Sequence, residues 1–160
     1  MSNETASEKM RNYPDHPFVG VGVVVWKDEQ FLLVTRGKPP REGDWSIPGG
    51  GQELGETVRE TAAREIREET GLEIEVGELL DVLDGVRRDE DGRVRRHMVL
   101  IDFMAEWRSG TARPGSDAPR VGWFGLADLA RLRLWGETER IIRKSAAIRD
   151  NAKEKHKGST

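Results

Sequence analysis

A chain of 160 residues, 34% of them charged, with a formal net charge of −3 and no cysteine, suits one domain with a real core and excludes a disulfide framework, a thiol nucleophile and a zinc–thiolate site. Its acidic balance argues against a nucleic-acid polymer as partner, and its longest apolar runs are far too short to span a membrane. Met1 to His16 are polar and lack a signal-peptide core, so a cytoplasmic protein is expected, with a flexible arm over residues 1–16, a single domain over 17–153 and a flexible tail over 154–160.

In chain order, Phe18 to Trp26 (FVGVGVVVW) predicts a strand, Lys27-Asp28-Glu29 a turn, and Gln30 to Arg36 (QFLLVTR) a returning strand. Gly37 to Asp44 is a loop punctuated by proline and glycine, leading to a short strand at Trp45-Ser46-Ile47. A charged helix is expected over Glu56 to Thr70. An apolar, partly alternating segment from Ile74 to Val86 and a long strand from Arg95 to Trp107 flank Asp91-Gly92, a strong hairpin signal. Val121 to Phe124 reads as a further strand, followed by a short helix near Leu126 to Arg131 and a terminal helix over Glu137 to Lys153. Strands interspersed with helices imply a sheet covered by helices on its faces.

The densest information lies between Gly50 and Leu72, GGQELGETVRETAAREIREETGL. Its spacing is G-x5-E-x7-R-E-U-x-E-E-x-G-U, with U a bulky aliphatic. Seven fixed positions at roughly 7% usage each coincide about once in 10⁸ windows. At about 100° per residue, Glu65, Glu68 and Glu69 project within one helical arc of roughly 100°, while Ala63, Ile66 and Thr70 occupy another arc suited to packing. Three carboxylates on one face repel as bare charges, and a hard divalent cation with a preference for oxygen ligands turns that repulsion into binding. A ladder such as Glu60, Arg64 and Glu68 ordinarily marks only a solvated helix face. Here the ladder follows a Pro48-Gly49-Gly50-Gly51 turn, where the backbone can approach a ligand closely, and it ends at Gly71, a natural helix C-cap.

The motif resembles that of the Nudix hydrolase family, and the likeness extends with falling specificity over roughly residues 18 to 143. The resemblance implies an α/β/α sandwich with a mixed sheet and Mg²⁺- or Mn²⁺-dependent hydrolysis of a pyrophosphate linkage in a nucleoside diphosphate derivative. It implies Gly49, through its carbonyl, as a metal ligand beside Glu65, Glu68 and Glu69. Gly50, Glu56, Arg64 and Gly71 are implied as the structural brace of the motif. Glu68 is the first candidate for the general base, since it can sit beside the metal and face an attacking water, with Glu65 next. The pattern from Gly37-Lys38-Pro39-Pro40 to Gly50 looks closest to bacterial ADP-ribose pyrophosphatase-like proteins, so ADP-ribose or a similar nucleotide-sugar is the expected substrate. Nucleoside triphosphate or dinucleoside polyphosphate hydrolysis is the alternative reaction, and a non-catalytic nucleotide-sensing module the alternative class.

Outside the motif, Arg36 and Lys38 are candidates to meet substrate phosphates. Trp45 either stacks on a base or packs in the core, the commoner use of an aromatic ring. Arg87, Arg88, Arg93, Arg95 and Arg96 decorate the hairpin and read as exposed charge, with contact to a diphosphate or to a second subunit, a homodimer, left open. Many family members carry a glutamate shortly before a tryptophan in a late strand. Here that position holds Arg120, three residues before Trp123, which leaves Asp117 and Glu106 as candidates for the extra base or ligand.

Overall fold

The computed structural model describes residues 10–38, 41–115 and 117–158. Among them β1 (Phe18–Lys27), β2 (Gln30–Thr35), β3 (Trp45–Ser46), β4 (Gly49–Gly51), β5 (Glu73–Arg88), β6 (Val94–Ser109) and β7 (Val121–Phe124) form one sheet. The main path runs β3-β2-β1-β6-β5, with β4 paired to β1 and β7 to β2. β1 and β6 are parallel, in register from Phe18↔Met98 to Trp26↔Glu106. The other pairings are antiparallel, so the sheet is mixed. Beyond the helical residues Met10 and Arg11, the helices among the described residues are α1 (Val58–Thr70), α2 (Leu129–Leu132), entered through a 3-10 turn at Leu126–Asp128, and α3 (Gly136–Lys157).

β1 is central because both of its faces are apolar. Val21, Val23 and Val25 point to a core shared with Ala62, Ile66 and Leu72 on the α1 side. Val24 and Trp26 point to the opposite core, shared with Ile141, Ile142 and Ala146 of α3. Alternation along a pleated strand thus feeds two cores at once, and a helix closes each. The result is a three-layer α/β/α arrangement.

α1 starts where Thr57 caps it. The Thr57 hydroxyl accepts from the Glu60 amide at 3.1 Å, and the Glu60 carboxylate accepts from the Thr57 amide at 3.3 Å, a reciprocal box that satisfies two orphan donors. At the other end Gly71 takes φ 78°, and its N–H reaches the Arg67 carbonyl, a conformation a side chain would strain. Both ends of the helix, and so the direction of its carboxylates, are therefore set locally.

Two expectations shift. The terminal helix continues to Lys157 rather than ending near Lys153. The described part of the N-terminal arm is tied down: the Tyr13 amide donates to the Arg95 carbonyl at 2.9 Å and its hydroxyl to Asp89 at 2.9 Å. Arg93 stacks on the Tyr13 ring, 4.6 Å from its centroid. Residues 1–9 of the expected arm, residues 39–40 of the loop after β2, and residues 159–160 lie outside the described residues.

Candidate active site

Arg64 organises the motif. Its Nε and Nη2 clamp Glu56 from two sides at 2.9 and 2.7 Å, and Nη2 also donates to the Gly51 carbonyl at 2.9 Å. Its Nη1 reaches Glu65 at 2.9 Å and Glu68 at 3.0 Å. Glu56 further accepts from the Glu53 amide and the Thr61 hydroxyl. Chiefly through Arg64, the Glu56 carboxyl is held down to about 2. One guanidinium therefore ties the glycine-rich strand β4, the turn before α1 and two carboxylates of α1 into a single unit.

The glycines allow this closeness. A Cβ built at Gly50 would collide with the Glu65 carboxylate, so glycine lets the loop lie on the helix without displacing that side chain. Glu69 accepts a hydrogen bond from the Gly49 amide at 3.2 Å. Burial pushes the Glu69 carboxyl up to about 7, against the pull of that amide, and the neighbouring charges of Glu65, Asp117 and Glu68 push the same way. Burial also raises Glu65, opposed by Arg64.

Glu69 opens onto a cleft of about 290 Å³ lined also by Arg11, Arg36, Lys38, Gly49 and Asp117. Through Arg11, Arg36, Ser46, Ile47, Pro48 and Gly49 this space adjoins a second one of about 410 Å³ between β1, β6, β5 and the start of α3. That size lies within the usual range for a small-molecule site. Among the described residues, no three acidic or histidine side chains converge on one point. The donor set nevertheless fits a hard cation: oxygen ligands only, two carboxylates raised by burial, and mutual repulsion that positive charge would relieve.

The structure brings together most of the site residues expected from sequence and separates others. Glu56, Arg64, Glu65, Glu68, Glu69, Gly49 and Gly50 meet as described, and Arg36, Lys38 and Asp117 share the Glu69 cleft. Trp45 lines neither space; it packs edge-on against Phe124, centroids 4.9 Å apart, under the Arg120 guanidinium at 5.2 Å. Glu106, the other candidate base or ligand, lies in neither of these two spaces. Its even-numbered neighbours on β6 face α3, and its carboxylate pairs with Arg149 of that helix at 2.9 Å, across the sheet from α1. Arg96, exposed as expected, also lines the larger space. Sequence reasoning missed Asp102 and Trp135, both in that lining. The signal was present for Asp102, a lone acid between apolar residues from Met98 to Ala105, where a break in strand pattern marks a functional site.

The NUDIX domain profile matches residues 16–144. The chain belongs to the Nudix hydrolase family. Among relatives of this Nudix hydrolase, the ADP-ribose pyrophosphatase of Methanocaldococcus jannaschii is 38% identical over 128 residues, covering 80% of this chain and 72% of that one. A MutT-like protein of Streptomyces ambofaciens is 34% identical, covering 69% of this chain and 65% of that one. Among solved structures, the MutT NUDIX hydrolase from Burkholderia pseudomallei superposes with a TM-score of 0.69 at 32% identity, over 81% of this chain and 98% of that one. The NUDIX domain of Shewanella oneidensis NrtR, complexed with ADP ribose, gives a TM-score of 0.66 over 89% of this chain and 97% of that one; at 24% identity that likeness is one of fold. No helix among the described residues is long and apolar enough to cross a membrane.

Proposed function

We propose that this Nudix hydrolase cleaves the pyrophosphate linkage of a nucleoside diphosphate derivative, with ADP-ribose or a similar nucleotide-sugar as substrate and Mg²⁺ or Mn²⁺ as cofactor, in the cytoplasm. The observation that carries the reading is the braced carboxylate helix beside a cleft that also holds Arg11, Arg36 and Lys38. Acidic ligands for a cation thus stand across from cationic side chains suited to phosphate. The 38% identity to an ADP-ribose pyrophosphatase supports the choice of substrate.

Glu65, Glu68, Glu69 and the Gly49 carbonyl would hold the cation, which when bound neutralises phosphate charge and lowers the pKa of a water. Arg36 and Lys38 orient the diphosphate. Arg64 keeps Glu65 and Glu68 on the cleft side of the helix. Glu65 and Glu69 are engaged by the glycine loop, whereas the Glu68 side chain is 60% exposed and held only through Arg64. That freedom supports Glu68 as the acceptor of the proton from the attacking water. The water oxygen bonds to one phosphorus, the bridging oxygen leaves with the electron pair of the broken P–O bond, and two phosphate monoesters result. No covalent bond to the protein forms.

A nucleotide panel assayed with Mg²⁺ and Mn²⁺ in ¹⁸O-labelled water tests this. The expected result is AMP and a sugar phosphate from ADP-ribose, with one heavy oxygen on a single product. Turnover confined to nucleoside triphosphates or dinucleoside polyphosphates would move the assignment to those substrates, and nucleotide binding without turnover would favour a sensing module.

A further inference from the structure

Asp102 sits mid-strand in β6, directly paired with Gly22 of β1. It is 8% exposed, lines the larger space, and meets no hydrogen-bond or ion-pair partner among the described residues. The guanidinium of Arg140, whose charge reaches it, is already held by Asp81 at 2.6 Å and Glu137 at 2.8 Å. Burial pushes the Asp102 carboxyl up to about 6. A Cβ at position 22 would collide with Asp102 Oδ1 and come within 2.9 Å of Ile47 Cδ1. The glycine in a central strand thus makes room for an acid that the fold itself does not use. Both residues weaken the sheet locally, and the largely desolvated carboxylate, which still reaches the space, costs free energy unless something there pairs with it.

The surroundings say what that partner looks like. Ile47, Leu83, Leu100 and Ile141 are aliphatic walls of the same space, and Trp135 adds an aromatic ring. Arg96, Glu137 and Thr138 supply polar groups to the same lining, and on the aliphatic walls a nucleobase offers apolar faces and one polar edge where a sugar would set several hydroxyls on hydrocarbon. We propose that Asp102 is a specificity-determining residue of the cleft, accepting a hydrogen bond from the exocyclic amino group of the substrate's nucleobase. This inference rests on the nucleotide reading above.

The test compares ADP-ribose with its 6-deaminated purine analogue and with its 2′-deoxyadenosine analogue, in the native protein, Asp102→Asn and Asp102→Leu. A hydrogen bond to a charged acceptor predicts a native preference for the amino-bearing base of roughly 10- to 100-fold in kcat/KM. Asp102→Leu is expected to abolish that preference by raising KM for ADP-ribose, with activity on the deaminated analogue little changed. Asp102→Asn, which keeps an acceptor oxygen, is expected to retain part of it. Both variants should unfold in urea at no lower concentration than the native protein, because a desolvated carboxyl has been removed. An unchanged preference in Asp102→Leu, or an equal loss on both bases, overturns the inference while leaving ADP-ribose hydrolysis standing. A preference for ribose over deoxyribose that vanishes in Asp102→Leu would assign the contact to the sugar and equally overturn it. A native protein that turns over no member of the set overturns the nucleotide reading as well.

Discussion

On the α1 side of the cleft every acidic side chain of the helix has a partner: Glu65 and Glu68 on Arg64, Glu69 on the Gly49 amide, and Glu60 on the Thr57 amide. On the β1–β6 side, Asp102 has none among the described residues. The braced wall is assembled from one continuous segment, Gly49 to Gly71, whose contacts are mostly within twenty residues of one another. The other wall draws on β1, β5, β6 and the start of α3, residues far apart in the chain. Chemistry common to a reaction can be carried by a short, self-bracing motif, while recognition of a particular substrate is left to side chains that only the assembled sheet brings together.

The hardest test of that contrast is activity. Glu69→Gln and Glu68→Gln keep shape and remove charge, so turnover at fixed metal concentration is expected to fall roughly 10²- to 10⁴-fold. Near-normal turnover in both would break the assignment of the α1 wall to catalysis. Next comes the brace itself. Arg64→Ala strands Glu56 and Glu65 together, and the melting temperature should drop by roughly 5–10 °C. Arg64→Lys should rescue little, because an ammonium cannot serve Glu56, Glu65 and the Gly51 carbonyl at once.

Metal binding should show as stability. A cation bound only by the folded state adds about 2.7 kcal/mol at a hundredfold excess over Kd. Saturating Mg²⁺ or Mn²⁺ is therefore expected to raise the melting temperature by several degrees, and by less in Glu69→Gln. Equal shifts in the two proteins would place the cation elsewhere.

A pH series sharpens the same point without metal. The folded-state pKa of Glu69, about 7, lies above its ordinary 4.5, so the folded protein binds this proton more tightly than the unfolded chain. Stability relative to Glu69→Gln should be greatest below pH 4.5, decline as pH rises to about 7, and then level off, by about 3 kcal/mol in all. Denaturant melts of the two proteins across that window measure it, and parallel curves would mean that Glu69 is not buried as described. Smallest of all, Glu106→Gln should change kcat/KM less than about twofold, since Glu106 pairs with Arg149 of α3 and lines neither space of the cleft; a large loss would place it in the site.

Much of this was legible beforehand for identifiable reasons. β1, β7 and α1 follow from alternation, from turn residues and from the Gly71 cap, all of which act over a few residues; the Thr57 box, which starts the helix at Val58 and not at Glu56, came from the structure. The Glu56–Arg64 brace was implied by the family resemblance, and the structure places the two side chains in contact. The Glu106–Arg149 pair was not legible, because the two residues stand 43 apart in the chain and meet only when α3 packs on the sheet. Arg96 and Asp102 were obscure because their surroundings come from β1, β5 and α3.

By itself, then, the sequence determined the charged helix, its Gly71 C-cap and its carboxylate face, because helix periodicity and capping are local physics, and its motif spacing pointed to the family. The tertiary structure alone decided that Glu69 rather than Glu106 faces Asp117 and that Arg96 lines the cleft. It also decided that Gly22 and Asp102 meet, since parallel pairing of strands about eighty residues apart is set by how two cores close around one sheet and not by anything a short segment can encode.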